Sequence, residues 1–480
     1  MTKIAFVQEE FRDRFSVMAL SAMLEKGNHQ REVFIQEKSE GFVEEVLQCK
    51  PDIIAFSTMT PGIEFALKYM GIFKERSNAM IIMGGPHPTF YPEIIEEKNI
   101  DAICIGEGDQ AILDFANAFE NNESIYHIKN FWVKDKTDRT KIYKNELFPL
   151  SELDDLPMGD RGIYFKKYPE LARSQTKKTM IARGCPYSCT YCFNHSLKKM
   201  YKGSGKFVRF QSVETAINEI KYLKDNYGMK WLQLITDTAN INKKWFMEFL
   251  DTYQKEIGVP FLCNVRIDKI DEEIVKKMAE AKCERVDYGV EHGSYEIRKN
   301  VLKRDMTDEV IIKAGQLFTK YKIRVQTANI IGVPHETVQS AFSTIKLNRH
   351  LKPEIAKCFI LQPYPKTEIY EYSSDHGFLY DNYSFSNFGT GFQIGFDGST
   401  DFMQLKLKDA KKLVRLFYLF NFLTQVTFLD WLIPLLVRFP LNRLFKMIYI
   451  FPVVKQEVKY SQTLKQKLLG IKKLFKAIIS

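Results

Sequence analysis

Hydrophobic positions in the first 120 residues alternate between short runs rich in branched residues and longer stretches with helical spacing. The short runs predict five strands, at residues 3–7, 32–35, 52–57, 79–83 and 101–105. Helical patterns lie between them, for example at residues 16–26, where Gly27 follows as a stop signal. This alternation is typical of a parallel sheet with crossover helices, and it predicts an α/β, doubly wound, Rossmann-like domain at residues 1–146.

The rest of the pattern predicts a second α/β series. Runs at residues 131–133 and 141–143 predict a hairpin, and residues 147–175, which contain three prolines, are typical of a linker. The runs beyond it predict six strands, at residues 179–183, 231–237, 261–266, 285–291, 324–331 and 357–362. Six βα units in succession indicate a full or partial TIM-like (β/α)6 barrel at residues 176–375, with its chemistry at the carboxyl ends of the strands.

Composition narrows the class of protein and locates its charge. The 480 residues are 45% hydrophobic and 27% charged, which excludes a disordered, collagenous or disulfide-stapled chain. Residues 404–480 contain 15 Lys and Arg and 3 Asp and Glu. The net positive charge of this tail alone is therefore larger than the net charge of +10 of the whole chain. The start has no apolar signal segment, which predicts a cytoplasmic protein whose clustered cysteines bind metal rather than pair.

The C-terminal region, residues 376–480, is predicted to be helical, basic and rich in aromatic side chains. Its longest uncharged run, residues 416–429, is shorter than the roughly 20 apolar residues of a membrane span. Two interpretations stay open: a surface, extended by the lysines of residues 462–479, that lies on anionic lipid at the inner face of the membrane, or a helical subdomain packed on the barrel with a solvated basic face. The many aliphatic residues among the lysines argue against nucleic acid as a partner.

Three of the eight cysteines are clustered directly after the first predicted barrel strand. Cys185, Cys189 and Cys192 are spaced four and three residues apart, so their thiolates can converge on one centre, and soft sulfur ligands select iron–sulfur clusters, zinc or copper(I). A four-iron cluster held by three cysteines leaves one iron open, whereas a structural zinc needs a fourth ligand, which His195 could supply. The other five cysteines are expected to be small buried hydrophobic residues.

The sequence around these cysteines resembles the radical S-adenosylmethionine (SAM) superfamily. The match is the pattern Cys-x3-Cys-x2-Cys with an aromatic residue, Tyr191, before the third cysteine, and further matches extend over about residues 178–372. The resemblance implies that the three thiolates hold a [4Fe–4S] cluster and that the open iron binds SAM. It also implies an electron donor such as flavodoxin or ferredoxin, which drives cleavage of SAM to a 5′-deoxyadenosyl radical.

Further motifs at the predicted strand ends extend this resemblance and indicate a SAM site. Glu291 lies in a segment that resembles the fourth-strand motif, which implies contact with the ribose hydroxyls, and Gly332 and Pro334 lie in one that resembles the fifth-strand segment lining the adenine. The predicted SAM residues are Tyr191, Asp237, Arg266, Glu291, Gly332 and Pro334. For Glu291 and Arg266 the alternative is a purely structural ion pair at the barrel rim.

Glycine and hydroxyl residues follow the third, fourth and fifth strands of the first domain, where a doubly wound sheet binds its ligands. They suit close approach of a bulky ligand, or ordinary tight turns, and no Gly-x-Gly-x-x-Gly follows the first strand. The turns and the domain order resemble the cobalamin-binding branch of the superfamily, which implies a cobalamin site. Its predicted residues are Ser57, Thr58, Gly84, Gly85 and Glu107. Residues 8–15 contain no histidine, so we expect no protein imidazole below the cobalt.

The resemblance predicts a cobalamin-dependent radical SAM enzyme that methylates an unactivated carbon of a small-molecule or lipid substrate. Ring formation or oxidation without methyl transfer is the alternative within the superfamily, because relatives do both. A non-catalytic zinc or iron–sulfur binding protein is the alternative of another class. The basic, apolar tail predicts peripheral membrane contact and hence a hydrophobic substrate delivered from the bilayer.

Overall fold

The computed structural model of the protein describes residues 1–384, 403–439, 444–445 and 447–449. The chain divides into two compact units. The first comprises Met1–Gln175, Ala182–Gly184 and Leu197–Gly228, and the second comprises Thr176–Ile181, Cys185–Ser196 and Met229–Ser480. Each unit contains its own main sheet, which is mixed in the first unit and parallel in the second.

The first unit is built on a seven-stranded sheet. Its strands are β1 (Lys3–Gln8), β2 (Gln30–Ile35), β3 (Ile53–Ser57), β4 (Met80–Gly84), β5 (Ala102–Cys104), β6 (Phe131–Lys134) and β7 (Ile142–Lys144). They lie in the order β2-β1-β3-β4-β5-β6-β7, parallel up to β5 and antiparallel from β5 to β7. The predicted doubly wound sheet and its hairpin are therefore confirmed, and the strand order reverses between β1 and β3, where such sheets bind ligands.

Helices cover both faces of this sheet. They are α1 (Phe15–Lys26), α2 (Phe42–Gln48), α3 (Ile63–Arg76), α4 (Pro86–Phe90), α5 (Asp109–Glu120), α6 (Gly162–Phe165) and α7 (Pro169–Ala172). Helices α1 and α5 pack with Ile4 and Phe6 of β1 on one face, and α2 and α3 pack with Ala5 and Val7 on the other. Because side chains alternate along a strand, the wholly apolar run of β1 supplies both hydrophobic cores.

The segment predicted as a linker packs into the core of the first unit. Tyr164 and Tyr168 are buried among the residues of α1 and α5, and the Tyr164 hydroxyl donates to Gln8 Oε1 at 2.5 Å. The Gln8 amide nitrogen donates to the carbonyls of Glu10 and Arg12, both at 2.7 Å, so this contact orders the loop after β1. The prolines were a correct signal for turns, but the apolar residues between them fix the segment on the sheet.

The second unit contains a six-stranded, all-parallel sheet. The remaining strands of the chain are β8 (Thr176–Thr179), β9 (Ala182–Arg183), β10 (Arg209–Phe210), β11 (Trp231–Leu234), β12 (Phe261–Asn264), β13 (Cys283–Glu291), β14 (Arg324–Ile331) and β15 (Ile355–Ile360). Six of them lie in the order β15-β14-β13-β12-β11-β8. Within the described residues β8 and β15 do not pair, so the barrel is partial, in agreement with the predicted fold class.

Helices connect the strands of this second series. They are α8 (Phe193–Met200), α9 (Val213–Tyr227), α10 (Lys243–Glu256), α11 (Glu272–Glu280), α12 (Asp308–Lys320), α13 (Val338–Leu351) and α14 (Glu368–Asp375). Helices α9 to α14 each begin where a polar side chain accepts a hydrogen bond from the first turn, and these caps are Ser212, Asn242, Asp271, Thr307, Thr337 and Thr367. A single π-helical turn, Ile297–Val301, follows β13.

The first barrel strand differs from its prediction. Residues 179–183 were predicted as one strand, but β8 ends at Thr179 and β9 pairs antiparallel with β10. The physical reason is the Arg183 side chain, whose Nη1 lies 2.7 Å from Asp109 Oδ2 and 2.9 Å from Glu107 Oε2. These carboxylates belong, like Arg183, to the first unit, whereas β8 belongs to the second.

The described part of the C-terminal region packs on the barrel sheet. Helix α15 (Ala410–Gln425) is followed by α16 (Ile433–Leu436), and Leu413, Phe417 and Phe420 of α15 are buried against β15 and α13. The guanidinium of Arg349 donates to the carbonyl of Leu423 at 2.7 Å and pairs with Asp430 at 2.7 Å, which ties the end of α15 to α13. Residues 410–425 therefore form a packed subdomain, whereas residues 462–479 lie outside the described residues. In the described part, no helix combines the length and the hydrophobicity needed to cross a membrane.

Candidate functional site

A cavity of about 360 Å³ lies inside the sheet of the second unit, and all three clustered cysteines contribute to its wall. Its other walls extend from residues within β13, β14 and β15 to the residues at the carboxyl ends of β11, β12 and β13. Small-molecule sites of proteins have volumes of roughly 300–1,000 Å³. The cavity is therefore large enough for a small ligand, and it lies where barrel enzymes place their chemistry.

The loop that carries the cysteines is fixed by backbone contacts within the second unit. The Thr190 hydroxyl donates to the carbonyl of Val301 at 2.7 Å, and the Thr190 amide donates to the carbonyl of Leu302 at 3.2 Å. The Ile369 amide donates to the carbonyl of Thr190 at 3.0 Å. The loop is thus held from two sides, by the end of the π-helical turn and by the start of α14.

Two guanidinium groups approach the sulfur of the central cysteine. Arg266 Nη1 and Arg304 Nη1 each lie 3.9 Å from Cys189 Sγ, and Cys189 is buried. Burial raises the pKa of Cys185 and raises the pKa of Cys192 to about 12. Such thiols need nearby positive charge to ionise, and Arg266 and Arg304 place positive charge beside this loop.

Glu291 is held over the cavity by an unusual backbone conformation. Its φ of +66° lies in the left-handed region, and its carboxylate folds back over Gly289, where a Cβ would collide with Glu291 Oε1. Glu291 Oε1 lies 3.7 Å from Arg304 Nη1, and the carboxylate is hydrogen-bonded to Tyr191. Burial raises the pKa of Glu291, and Arg304 and Tyr191 offset part of that effect. The strand-end position of this carboxylate therefore requires glycine at position 289.

Arg304 joins the elements of this site and was missed by the sequence analysis. Its Nη2 donates to the carbonyl of Gly289 at 2.8 Å, its Nη1 lies 3.5 Å from the Tyr191 hydroxyl, and its Nε has no hydrogen-bond partner among the described residues. Arg304 lies in a loop, without strand or helix periodicity to mark it, so only the folding of that loop against β13 brings it into the cavity.

Arg266, which was predicted, pairs with Asp268 at 2.7 Å and stacks on the Tyr187 ring with its guanidinium carbon 3.4 Å from the ring centroid.

The other predicted SAM residues fall into two groups. Asp237 lines the cavity, and its Oδ1 accepts a hydrogen bond from Asn194 Nδ2 at 2.8 Å, next to the third cysteine. Gly332 and Pro334 are not among the residues that form the cavity wall. Gly332 has a φ of +85°, and Glu336 binds its amide through the carboxylate, which also pairs with His292 Nε2 at 2.9 Å. In this structure the fifth-strand segment is thus a rigid turn beside the cavity.

The geometry of the cysteine loop fits a cluster rather than a single zinc ion. Zinc–sulfur bonds are about 2.3 Å, so thiolates on one zinc must lie within about 4.6 Å of each other. Among the described residues no group of three His, Cys, Asp or Glu side chains is placed to hold one metal ion. His195 Nε2 instead lies 3.4 Å from Glu368 Oε2. Three thiols on one cavity wall, of which Cys189 is buried and Cys185 and Cys192 are half-buried, fit a [4Fe–4S] cluster in which each thiolate binds a different iron.

The predicted cobalamin residues of the first unit lie together at the carboxyl ends of β3 and β4. Ser57 Oγ lies 3.1 Å from Ser16 Oγ, and the Thr58 amide donates to the carbonyl of Gly84 at 2.8 Å. Gly85 has a φ of +97°, and a Cβ there would lie 2.9 Å from the backbone of Thr58. Small residues and hydroxyls at this edge fit a large, amide-rich ligand, and glycine at 85 is required by the turn itself.

Glu107 is placed differently from the other four. Its carboxylate pairs with Arg209, which is buried, and with Arg183 at 2.9 Å. Its amide donates to the Tyr201 hydroxyl at 2.8 Å, and Gly106 before it has a φ of +76°, where a Cβ would collide with that hydroxyl. The carboxylate of Glu107 is thus engaged by protein, which leaves the backbone of this turn as the part that can face a ligand.

Comparison with known proteins finds one family model for each of these two sites. The model described as "Radical SAM superfamily" matches residues 179–347, and the model described as "B12 binding domain" matches residues 14–116. Together they cover more than half of the chain. The first includes the cysteine loop and every residue that lines the cavity except Lys357 and Phe359, and the second includes the turns after β3 and β4.

Relatives with curated descriptions agree with the two models. An uncharacterized methyltransferase of Pyrococcus horikoshii is 29% identical over 342 residues, which is 68% of this chain and 71% of the relative. The anaerobic magnesium-protoporphyrin IX monomethyl ester cyclase of Rubrivivax gelatinosus is 25% identical over 381 residues, 76% of this chain and 67% of the relative.

Solved structures share the fold. The cobalamin-dependent S-adenosylmethionine radical enzyme OxsB with aqua-cobalamin bound matches with a TM-score of 0.68 and 14% identity, over 99% of this chain and 75% of that chain. The family membership implies a [4Fe–4S] cluster, SAM and cobalamin as cofactors, and it implies a reductant and a small substrate. The chain is an enzyme of the cobalamin-binding radical SAM family.

Proposed function

We propose that this enzyme is a methyltransferase that acts on an unactivated carbon of a hydrophobic small molecule. The observation that carries the proposal is the combination, in one chain, of a B12-binding domain with a barrel whose cavity wall contains three cysteines and two arginines. The curated methyltransferase of Pyrococcus horikoshii supports the same reaction class. We assign residues 1–146 to cobalamin, residues 147–175 to a connecting segment, residues 176–375 to the radical SAM barrel and residues 376–480 to the C-terminal region.

The roles of the site residues follow from their contacts. Cys185, Cys189 and Cys192 would hold the cluster, and Arg266 and Arg304 would place positive charge beside the sulfur of Cys189. In this proposal the predicted SAM residues, Tyr191, Asp237, Arg266, Glu291, Gly332 and Pro334, orient SAM at the strand ends. Ser57, Thr58, Gly84, Gly85 and Glu107 would contribute to the cobalamin site, Glu107 through its backbone.

When bound, the cluster and SAM supply hydrogen-abstracting radical chemistry and cobalamin supplies the methyl group. The protein's own contribution is to position these groups and to exclude water. Glu291 is suited to accept hydrogen bonds from a sugar hydroxyl, because its carboxylate is fixed by the Arg304 pair and by the left-handed backbone. Arg304 gives the same cavity a fixed positive charge, which favours a ligand carboxylate.

Anaerobic reconstitution tests this function. The protein loaded with iron, sulfide, hydroxocobalamin, dithionite and SAM that carries a trideuterated methyl group should produce 5′-deoxyadenosine. A methyltransferase should also add a trideuteromethyl mass to a compound in a lipid-rich extract, and a flavodoxin or ferredoxin should replace dithionite. Formation of 5′-deoxyadenosine without any labelled product would contradict methyl transfer.

Matched cysteine variants separate cluster ligands from buried cysteines. Cys189→Ala should lose iron and SAM cleavage, since one thiolate is removed from the cavity wall. Cys263→Ala and Cys283→Ala are the controls, because both cysteines are buried but neither lines the cavity. SAM cleavage that persists in Cys189→Ala would refute the assignment.

Ring formation without methyl transfer is the second candidate, and the cyclase of Rubrivivax gelatinosus is the observation that favours it. The two reactions differ in the fate of the label. A cyclase would yield a product with two hydrogens fewer than its substrate and no deuterium, so mass spectrometry of the same reaction decides between them.

A hydrophobic substrate is supported by the surface that follows α15. Phe428 and Trp431 are 74% and 78% exposed, and Leu435 and Phe439 are about half exposed. The tail that contains them holds 15 basic and 3 acidic residues. Exposed aromatic side chains among basic residues are typical of surfaces that lie on anionic lipid, where each basic residue contributes about 1 kcal/mol. We therefore propose peripheral contact with the inner face of the membrane and delivery of the substrate from the bilayer.

Vesicle binding tests this part independently. The full-length protein should sediment with vesicles of phosphatidylserine and phosphatidylcholine at low salt and be released at high salt, because salt screens the charges. Trp431→Ser should weaken binding, whereas Trp132→Phe, a change in the first unit, should not. Equal sedimentation with neutral vesicles, or none with either kind, would contradict the proposed membrane contact.

A further inference from the structure

The inner part of the barrel cavity contains a glutamine without partners. Gln326 of β14 is 1% exposed and lines the cavity, and neither its Nε2 nor its Oε1 has a hydrogen-bond partner among the described residues. Burying an amide without hydrogen bonds costs about 1–3 kcal/mol per group. A folded protein keeps such a group where a ligand or bound water completes it.

A charged pair crosses the sheet beside this glutamine. Lys357 Nζ of β15 lies 3.8 Å from Asp287 Oδ2 of β13, although β14 lies between these two strands. In the strand register Gln326 is opposite Asp287, and Ala328 is opposite Lys357. The pair therefore passes over the inward face of β14 between the levels of Gln326 and Ala328.

These three residues form the floor of the cavity. Asp287 precedes Glu291 by four residues on β13, which corresponds to roughly 13 Å of strand below the predicted SAM residues. The layer between is small or apolar, since Gly289, Ala328 and Phe359 line the cavity there. A ligand that reaches the floor must pass this apolar layer and end in a polar group.

The charge at the floor favours an anion. Asp287 faces two cations, because Arg285 Nε also lies 2.9 Å from Asp287 Oδ1. The cluster of Arg285, Lys357 and Asp287 thus has a net charge of +1. Burial lowers the pKa of Lys357, and a second negative group nearby would oppose that effect.

We propose that Gln326, Lys357 and Asp287 form a subsite that binds a carboxylate at one end of the substrate, with Gln326 Nε2 and Lys357 Nζ as the donors. The subsite rests on the proposed function, because it takes the cavity as the place where the substrate binds. The subsite implies that the substrate is an amphiphile. Its apolar part would occupy the apolar middle layer of the cavity, and its carboxylate would reach the floor.

Four six-carbon probes test the subsite without any turnover. Hexanoate, hexanamide, 1-hexanol and hexylamine share one apolar tail and differ in the polar end, and their affinities for the reconstituted holoprotein can be measured calorimetrically. Hexanoate should bind at least fivefold more tightly than 1-hexanol, and hexylamine should bind most weakly. Equal affinities of hexanoate and 1-hexanol would overturn the proposal and leave ordered water as the occupant of the floor.

Variants connect the preference to the named residues. Gln326→Leu and Lys357→Met should each reduce the preference for hexanoate over 1-hexanol several-fold. Gln233→Leu, the same chemical change on β11 at a position that does not line the cavity, should leave it unchanged. Gln326→Glu should reverse the preference in favour of hexylamine, a result that misfolding cannot produce. An unchanged preference in Gln326→Leu and Lys357→Met would refute the assignment.

Stability gives a readout that separates binding from structure. Gln326→Leu should raise the melting temperature of the probe-free protein, because it removes two unpaired polar atoms from the interior. If the glutamine had a structural role, its replacement would lower the melting temperature.

The outcomes of these binding experiments are also independent of the proposed reaction. If no methyl transfer is found but hexanoate binds more tightly than 1-hexanol, the proposed reaction is wrong and the proposed subsite is supported. If methyl transfer is found without that preference, the subsite is wrong.

Discussion

Gly289→Ala is the substitution whose effect the structure defines most closely. A Cβ at this position would collide with Glu291 Oε1 and lie 2.7 Å from Glu291 Cδ and 3.3 Å from Arg304 Nη2. The carboxylate can swing away, so the cost is not backbone strain but the separation of Glu291 from Arg304 and Tyr191. Breaking a buried ion pair costs about 3–5 kcal/mol, and both side chains of this pair are about nine-tenths buried. We expect a loss of about 3 kcal/mol in the free energy of unfolding of the second unit.

A double-mutant cycle tests the reasoning. Glu291→Ala alone should cost a similar amount, because it leaves Arg304 without its carboxylate partner. In the Glu291→Ala background, Gly289→Ala should cost less than about 1 kcal/mol, since the colliding atoms are gone, and the coupling energy should reach about 2–3 kcal/mol. Gly159→Ala is the control, because its Cβ would meet only ordinary contacts, the closest being Met18 Cβ at 3.4 Å.

Urea unfolding followed by tryptophan fluorescence measures these values. Trp231 and Trp245 belong to the second unit, and Trp132 belongs to the first, so Trp132→Phe gives a background that reports on the second unit. The slope of the free energy against urea should stay constant across the series. If Gly289→Ala lowers the free energy of unfolding by the same amount with and without the Glu291 side chain, the collision with that carboxylate is not the cause of the destabilisation.

The affinity for SAM should also fall in Gly289→Ala, because the predicted partner of the ribose has moved.

Further predictions concern other elements. Burial lowers the pKa of His87 to about 4, below the value of about 6.5 in an unfolded chain. Between these pH values the unfolded state binds more protons than the folded state, so the free energy of unfolding should fall by about 3 kcal/mol as the pH drops from 7 to 4. Urea titrations at several pH values measure this dependence, and His87→Gln should remove it. Arg209→Met should cost about 3 kcal/mol, because it removes a buried partner of Glu107, whereas Arg76→Met at an exposed pair with Glu44 should leave the urea midpoint unchanged. Thr337→Ala should cost about 1 kcal/mol by removing the capping box of α13, and Thr337→Ser should restore it in the same titration.

The sequence by itself determined the order of elements and the chemistry of the cysteine loop. Apolar runs such as those in β1 and β3 are long enough to predict strands, because a strand buried on both faces needs apolar side chains at nearly every position. The spacing of Cys185, Cys189 and Cys192 is also a local property, since all three lie on one short loop. Both features depend on neighbours in sequence, which is why they could be predicted.

Tertiary structure decided which distant side chains meet. Arg304 reaches Cys189 and Gly289 only because the loop after the π-helical turn folds against β13, and no periodicity in residues 302–307 indicates this. Lys357 meets Asp287 across an intervening strand, so the register of three strands had to be known before the floor of the cavity could be seen. Glu107 was predicted as a residue of the cobalamin site, and only the structure shows that its carboxylate pairs with Arg183 and Arg209, which are more than 70 residues away in sequence. Contacts of this kind depend on long-range packing and charge, and a sequence pattern records only the side chains that take part.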